Sequence, residues 1–469
     1  MRDYIWLANY GQPHLVKIDL GLSPTQAFCK IVESCEYAYI LESIEGSEKL
    51  AEYSFVGFEP RLVVTVKNGL VEVQDRINGH KNIYEVPEPL SLIRSLIVER
   101  HHNEAFPSKF VGGAVGYLSY DAVRYWERLP EKTVDDFKFP DIELAVYNDG
   151  LLFNHRKGEA NYYYYGVDRS RMIEELIKAE LQHEPLSFSS LRTNVKRERF
   201  EEIVAKSKEY IASGDIFQVV LSRRLEFNIR GSLIPFYIAL RKINPSPYMY
   251  FLKMGNRQIV GSSPEMLLRV DSGVVETFPI AGTRPRVRDD SARDLALAEE
   301  LRKDPKECAE HVMLVDLARN DIGKVCEYGS VRVPELMKVY RYSHVQHMVS
   351  RVVGKLRKGL SCYDALKAVF PAGTVTGAPK VRAMELIEEF EPVRRGPYAG
   401  AVGYFSFNGN ADFAITIRTL VASGRRAYIQ AGAGVVADSI PEREWFETEH
   451  KASALLKALQ MASGGEKEP

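Results

Sequence analysis

Apolar positions recur along this chain at two spacings. Over residues 197–214, RERFEEIVAKSKEYIASG, they fall three and four apart and the run closes on Gly214, which predicts an amphipathic helix ended by a glycine C-cap. Residues 304–321, DPKECAEHVMLVDLARND, 361–370, SCYDALKAVF, and 441–451, PEREWFETEHK, carry the same helical signal, and a further helix is expected near 168–183. Elsewhere short β-branched and aromatic runs are broken by turns. Residues 34–46, SCEYAYILESIEG, read as a strand, and 51–75 hold two strand runs either side of a Lys-Asn-Gly turn at 67–69, a hairpin signature. The glycine-rich stretch 111–120, VGGAVGYLSY, suits a strand that passes close to another backbone. Short strands fill 244–286 and 396–439. Helices and strands alternate without a βαβ repeat or an internal period, so the expected class is α+β, with large antiparallel β-sheets covered by helices. The charged, loop-like text from 155 to 196 divides an N-terminal region, 1–155, from a C-terminal one, 190–462.

The two helices at 304–321 and 441–451 share a pattern. Glu307 and Glu310 stand one turn apart on one face, as do Glu444 and Glu447, with Lys451 a turn further on. Either pair alone reads as a solvated face. Four carboxylates drawn together inside a fold would repel one another unless a cation lay between them, and oxygen donors without a Cys or His cluster suit Mg²⁺ better than zinc.

Composition narrows the classes. With 469 residues, 45% hydrophobic and 27% charged, the chain can bury a large core. A net charge of −1, from 62 Lys plus Arg against 63 Asp plus Glu, gives no electrostatic case for nucleic acid or an anionic membrane. No run approaches the roughly 18 apolar residues of a membrane span, and the start has no apolar signal core, so the expectation is a cytoplasmic protein. The five cysteines show no metal or redox spacing and are expected to be reduced.

SPEMLL (263–268), PIAGTRPR (279–286), AEHVMLVDLARND (309–321), PAGTVTGAPK (371–380), GPYAGAVGY (396–404), AITIRT (414–419), QAGAGVVADS (430–439) and REWFET (443–448) stand in the order found in chorismate-utilising enzymes. The chain most closely resembles the large subunits of anthranilate synthases, over nearly its whole length. That resemblance implies Mg²⁺ held by Glu310 and Glu447, with Glu307 and Glu444 directly or through water, gripping the substrate's ring carboxylate. It makes Glu265 the acid that protonates the departing hydroxyl, although Ser-Pro-Glu alone reads as a surface turn. It places Arg418 and Tyr398 on the enolpyruvyl carboxylate, where a guanidinium fork matches a carboxylate. An interior Arg paired with an Asp is the alternative. Gly432, Ala433 and Gly434 offer backbone to the substrate, and Gly282 and Thr283 lie beside the ring carboxylate. Lys451 becomes a charge partner in the same pocket, and His347 serves the elimination of pyruvate.

Two positions separate the subfamilies. Relatives that add water carry a Lys base where this chain has Gln218, which takes no proton at neutral pH. Makers of aminodeoxychorismate usually carry PIKGT, with a nucleophilic Lys, where this chain has Ala281. Ammonia itself should therefore add to the ring. The alternatives are an aminodeoxychorismate synthase or a catalytically silent tryptophan sensor. ILES at 40–43 and NPSPYMYF at 244–251 resemble the two halves of a tryptophan feedback pocket, with Ser43 on the amino acid's polar head and Pro247, Tyr248 and Met249 as its wall. Where the family has Gly-Arg-Tyr-Ser, this chain has Ala51, Glu52, Tyr53 and Ser54. No glutaminase motif is present, so the resemblance implies a separate glutamine amidotransferase subunit as the source of ammonia.

Overall fold

The computed structural model describes residues 11–44, 52–97, 109–179, 183–342 and 345–464, so Ala51 lies outside the described residues. Strand Tyr37–Glu42 shows how the layers arise. Tyr37 and Tyr39 enter one apolar core while Ala38 and Ile40 enter a second, so this strand, YAYILE, is covered on both faces. Tyr248–Met254 does the same, with Tyr250 and Leu252 on one side and Met249 and Phe251 on the other. The first core lies between two large antiparallel sheets, and the second lies between one sheet and the helices Pro24–Val32, Ile234–Ile243 and Pro441–Ala462.

That doubly covered sheet runs His14–Ile18, Glu159–Tyr164, Asp149–Asn154, Tyr53–Phe58, Tyr37–Glu42, Tyr248–Met254, Arg257–Ser263, Thr419–Ser423, Arg426–Val435, Gln218–Arg230. The other runs Ile280–Pro285, Val345–Lys355, Val274–Thr277, Met266–Asp271, Ala411–Ile415, Ala401–Ser406, Gly113–Leu118, Ile142–Tyr147, Leu62–Lys67, Leu70–Asp75, Lys81–Glu85. The antiparallel α+β class stands. Strands from 1–155 and from 190–462 share both sheets.

Local expectations are met where turn chemistry is strong. Lys67 pairs with Leu70 across Asn68 (φ 51°) and Gly69 (φ 80°), the conformation that an Asn-Gly hairpin favours. Helix Arg197–Ala212 ends before Gly214 at φ 85°. In Gly113–Leu118, a Cβ on Gly116 would lie 2.1 Å from the carbonyl oxygen of Glu143, so the close approach read from VGGAVGYLSY is real.

Candidate active site

The expected site residues come from nine separate segments and meet at one end of the paired sheets. Helix Pro305–Gly323 starts on Asp304, whose carboxylate accepts from the N–H groups of Lys306 and Glu307 and fixes the first turn. That turn presents Glu307 and then Glu310. Helix Pro441–Ala462 presents Glu444, Glu447 and Lys451. Between them lie the first residue of Gln218–Arg230, residues 432–434 of Arg426–Val435, and the start of Val345–Lys355 with His347.

Contacts stitch these segments together. Gln218 Nε2 donates to Glu310 Oε1 at 3.3 Å, and a Cβ on Gly434 would stand 2.8 Å from the same nitrogen. Lys451 Nζ lies 2.6 Å from Glu447 Oε1 and donates to the carbonyl of Gly432 at 2.9 Å. A Cβ on Gly432 would meet the Tyr398 hydroxyl at 2.7 Å, so glycine keeps that hydroxyl uncovered. Ala433 sits between them, paired with Leu221. Gly282 adopts φ +70° at a bulge between Ala281 and Thr283, and a Cβ there would lie 2.8 Å from Glu307 Oε2. The bulge turns the Gly282 carbonyl onto His347 Nδ1 at 3.1 Å, with Thr283 Oγ1 also 3.1 Å from that nitrogen. A carbonyl only accepts, so Nδ1 carries the hydrogen and Nε2 keeps its lone pair.

The electrostatics follow from burial. Glu265, placed by sequence alone on a surface turn, is only 8% exposed; burial lifts its carboxyl from 4.5 to about 8. The Thr374 hydroxyl, which makes no hydrogen bond among the described residues but faces the carboxyl across a cavity of about 40 Å³ that also takes in Leu314, Leu317 and Pro279, opposes that rise, and Lys451 opposes it less. At neutral pH this carboxyl keeps its proton. His347 is shifted down by burial against the bond to Gly282, with Arg418 adding to the fall, so the imidazole is neutral. Arg418 lies in the left-handed region at φ 51°, a conformation that costs a non-glycine residue about 1 kcal/mol or more. Burial lowers its pKa, Glu447 and Tyr398 oppose that fall, and no described residue pairs with the guanidinium at salt-bridge distance. The alternative of a structural Arg–Asp pair therefore fails. Burial pushes the Tyr398 phenol up to about 12, so it remains a donor.

The four carboxylates divide unevenly. Glu310 is raised by burial and then by Glu307 and Glu447, and Glu444 by burial and Glu447. Among the described residues no group of three or more His, Cys, Asp or Glu converges as a metal cage. Glu307 instead meets Arg284 at 3.2 Å, and that Arg also holds Asp304 and Glu300. Sequence reasoning does not reach Arg284 or Thr374, although Arg284 follows Thr283 directly in PIAGTRPR and Thr374 lies inside PAGTVTGAPK.

A second cavity, of about 80 Å³, is lined by Ser43, Pro247, Tyr248, Met249, Tyr53 and Asp412 among others. The two distant segments thus meet, through the pairing of Met249 with Glu42. Ser43 Oγ is buried there without a hydrogen-bond partner among the described residues. The wall is less apolar than expected, since the Tyr248 hydroxyl donates to Asp412 at 2.9 Å and Arg269 pairs with the same carboxylate.

A family model described as chorismate binding enzyme matches residues 36–457. The chain is 47% identical over 456 residues to the protein named anthranilate synthase component 1 of Methanothermobacter marburgensis, covering 97% of this chain and 96% of that protein. The crystal structure of anthranilate synthase component I from Streptococcus pneumoniae superposes with a TM-score of 0.76 at 36% identity, covering 88% of this chain and 95% of that one. The menaquinone-specific isochorismate synthase of Escherichia coli shares the fold, with a TM-score of 0.71 at 19% identity over 97% of this chain and 99% of that one. No helix among the described residues is long and apolar enough to cross a membrane.

Proposed function

We propose that this chain, which belongs to the chorismate binding enzyme family, is an anthranilate synthase component 1 that makes anthranilate from chorismate for tryptophan biosynthesis. The observation that carries the choice of nucleophile is Gln218. Its amide nitrogen is committed to Glu310, and its Oε1 is buried with no donor among the described residues. An amide cannot activate water, but an unpaired buried carbonyl is an acceptor for an N–H of ammonia. Ala281, where an attacking amine would stand in a maker of aminodeoxychorismate, offers only a methyl group.

The reaction is a lyase reaction in two stages. Arg418 and Tyr398 bind the enolpyruvyl carboxylate, and Gly282, Thr283 and the backbone of 432–434 border the ring. Glu265 donates its proton to the C4 hydroxyl, ammonia forms the bond at C2 as the ring double bonds shift, and water leaves. His347 Nε2 then takes the C2 proton while the C3–O bond breaks, so the enolpyruvyl group departs as pyruvate after protonation and the ring becomes aromatic. By chemistry the donors suit Mg²⁺, being all carboxylate oxygen with Glu310 and Glu444 crowded by their neighbours, although Glu307 and Glu447 are drawn to Arg284 and Lys451 and the four do not converge as a cage. Bound by Glu307, Glu310, Glu444 and Glu447, directly or through water, Mg²⁺ would supply positive charge to the ring carboxylate. Lys451 adds a second positive charge beside it.

Ammonia comes from a glutamine amidotransferase subunit in a hetero-oligomer, a reading supported by the lack of a glutaminase motif in this sequence. Tryptophan is the feedback ligand of the Ser43 cavity, its ammonium or carboxylate meeting the unpaired Ser43 hydroxyl. All five cysteines are free, in keeping with a cytoplasmic location.

The test mixes the purified chain with chorismate, an ammonium salt and Mg²⁺. Anthranilate and pyruvate in equal amounts, abolished by EDTA, are expected. 4-Amino-4-deoxychorismate as the main product would overturn the assignment, and glutamine-dependent turnover by the isolated chain would overturn the need for a partner.

A further inference from the structure

Behind the site lies an ion pair that no step above uses. Glu391 and Arg395 follow helix Lys380–Phe390, and their side chains are 3% and 1% exposed. Arg395 Nε donates to Glu391 Oε2 at 3.0 Å, and one terminal nitrogen donates to Oε1 at 2.6 Å. Burying two charges so completely is expensive, and a buried pair is weak evidence for stability in itself. Its other bonds are therefore informative. Arg395 donates to the carbonyl of Val375 and to that of Val220, each at 2.7 Å. Val375 follows Thr374, which faces Glu265; Val220 is two residues beyond Gln218, and its N–H donates to the Thr376 carbonyl at 2.8 Å. Glu391 Oε1 accepts from both the N–H and the hydroxyl of Ser222 at 2.8 Å. That hydroxyl also accepts from Gln430 at 2.8 Å and lies against Tyr398, whose ring has the Arg395 guanidinium 5.6 Å from its centre.

We propose that the Glu391–Arg395 pair is a positioning device that holds Gln218, Thr374 and Tyr398 in one register, so that nucleophile site, acid and carboxylate anchor stay aligned. This rests on the functional reading above. One guanidinium reaches three acceptors in three directions, which the single ammonium of a Lys cannot do. Glu391 closes the arrangement by fixing strand Gln218–Arg230 at Ser222 while Arg395 fixes it at Val220.

Two variants test this in the ammonium-dependent assay, with kcat, KM, melting temperature and pH profile read together. Arg395→Lys keeps the charge opposite Glu391 but releases the two carbonyls. Its kcat should fall about a hundredfold, the cost of misplacing reacting groups by about 1 Å, with KM for chorismate within about threefold of the parent. Because Thr374 helps hold the Glu265 carboxyl down, its release should also move the alkaline fall in rate to higher pH. Ser222→Ala removes one hydroxyl, leaving the buried Gln430 amide without its acceptor, and should lower the melting temperature by a few degrees and kcat about tenfold; if Arg395→Lys does not fold, this variant decides. A kcat per folded molecule within twofold of the parent, whatever the melting temperature, overturns the proposal. A parent chain that makes no anthranilate would instead overturn the functional reading.

Discussion

Glu265→Gln isolates one proton in a buried site. In the native protein the carboxyl titrates near 8 instead of 4.5, so between those values the folded state holds a proton that the unfolded chain has released. Stability falls with rising pH wherever the native state binds more protons. The contribution is therefore complete below pH 4.5 and is lost as pH climbs through 8. At about 1.36 kcal/mol for each pH unit, the interval from 4.5 to about 8 is worth roughly 5 kcal/mol, of which about 4 kcal/mol falls between pH 5 and pH 9. Gln does not titrate. Denaturant unfolding of parent and variant at pH 5, 7 and 9 should show the variant gaining on the parent by about that amount, while every other titrating group cancels between the two. Activity should move the other way. The variant should lose a factor of about 10² to 10⁴ in kcat, and the parent's own rate should decline above pH 8 as the acid loses its proton. A stability difference constant to within about 1 kcal/mol from pH 5 to 9 would mean that Glu265 ionises like a surface carboxylate and cannot be the acid.

Three further outcomes bear on the remaining residues. Ser43→Phe should fill the 80 Å³ cavity and relieve tryptophan inhibition while leaving the uninhibited rate near the parent's; unchanged inhibition constants would place the feedback site elsewhere. Glu447→Gln removes a carboxylate whose ion pair with Lys451 is half exposed, worth at most about 1 kcal/mol, so melting in EDTA should hold or rise while activity collapses and the Mg²⁺ requirement climbs. A lower melting temperature with the parent's Mg²⁺ requirement would refute metal binding there. Gly282→Ala puts a methyl at φ +70°, 2.8 Å from Glu307 Oε2 and Leu301 Cδ1, and should cost about 1–2 kcal/mol and displace Glu307; a Mg²⁺ titration like the parent's would show that Glu307 had not moved.

How much of this was legible depended on the distance over which each feature is decided. The three-residue spacing of Glu307 and Glu310 is set within one helical turn, and so it could be read directly. The hairpin at Asn68–Gly69 is equally local. Glu265 is the opposite case. Its neighbours Ser263 and Pro264 read as a turn, whereas Ser263 is the last residue of strand Arg257–Ser263 and Pro264 with Glu265 links it to Met266–Asp271; the burial that raises the pKa comes from Pro279, Leu314 and Ile415, all brought in from other elements. Strand Arg332–Arg341 is hidden in the sequence for another reason. Pro334 interrupts the run, and its register against Val345–Lys355 slips twice, with Met337 at φ 53°, so no clean period of two survives in the sequence. The order of the sheets leaves no local mark in the sequence: Tyr37–Glu42 pairs with Tyr248–Met254 across some two hundred residues that carry no turn signal for it, and only the family resemblance of ILES and NPSPYMYF brings those two segments together.

That same long-range pairing sets the Ser43 cavity a short way from Glu265 and Arg418, which bears on the feedback role proposed for it. Strand Tyr248–Met254 starts at the cavity and pairs with Arg257–Ser263, Tyr248 opposite Ser263 and Met249 opposite Ser262. Ser263 is two residues from Glu265, and its hydroxyl accepts the Glu265 N–H at 3.3 Å. Ser262 is tied on one side to the cavity loop, accepting from Asn244 Nδ2 at 2.6 Å and lying 3.2 Å from the Ser246 hydroxyl, and on the other its N–H donates to the carbonyl of Arg418 at 3.1 Å. Arg418 is the residue held in the left-handed region, so a shift of its carbonyl acts on a backbone that is already strained. On the proposed function, a ligand that displaces Tyr248 or Ser246 would reach both Glu265 and Arg418 through this one pair of serines, Ser262 and Ser263.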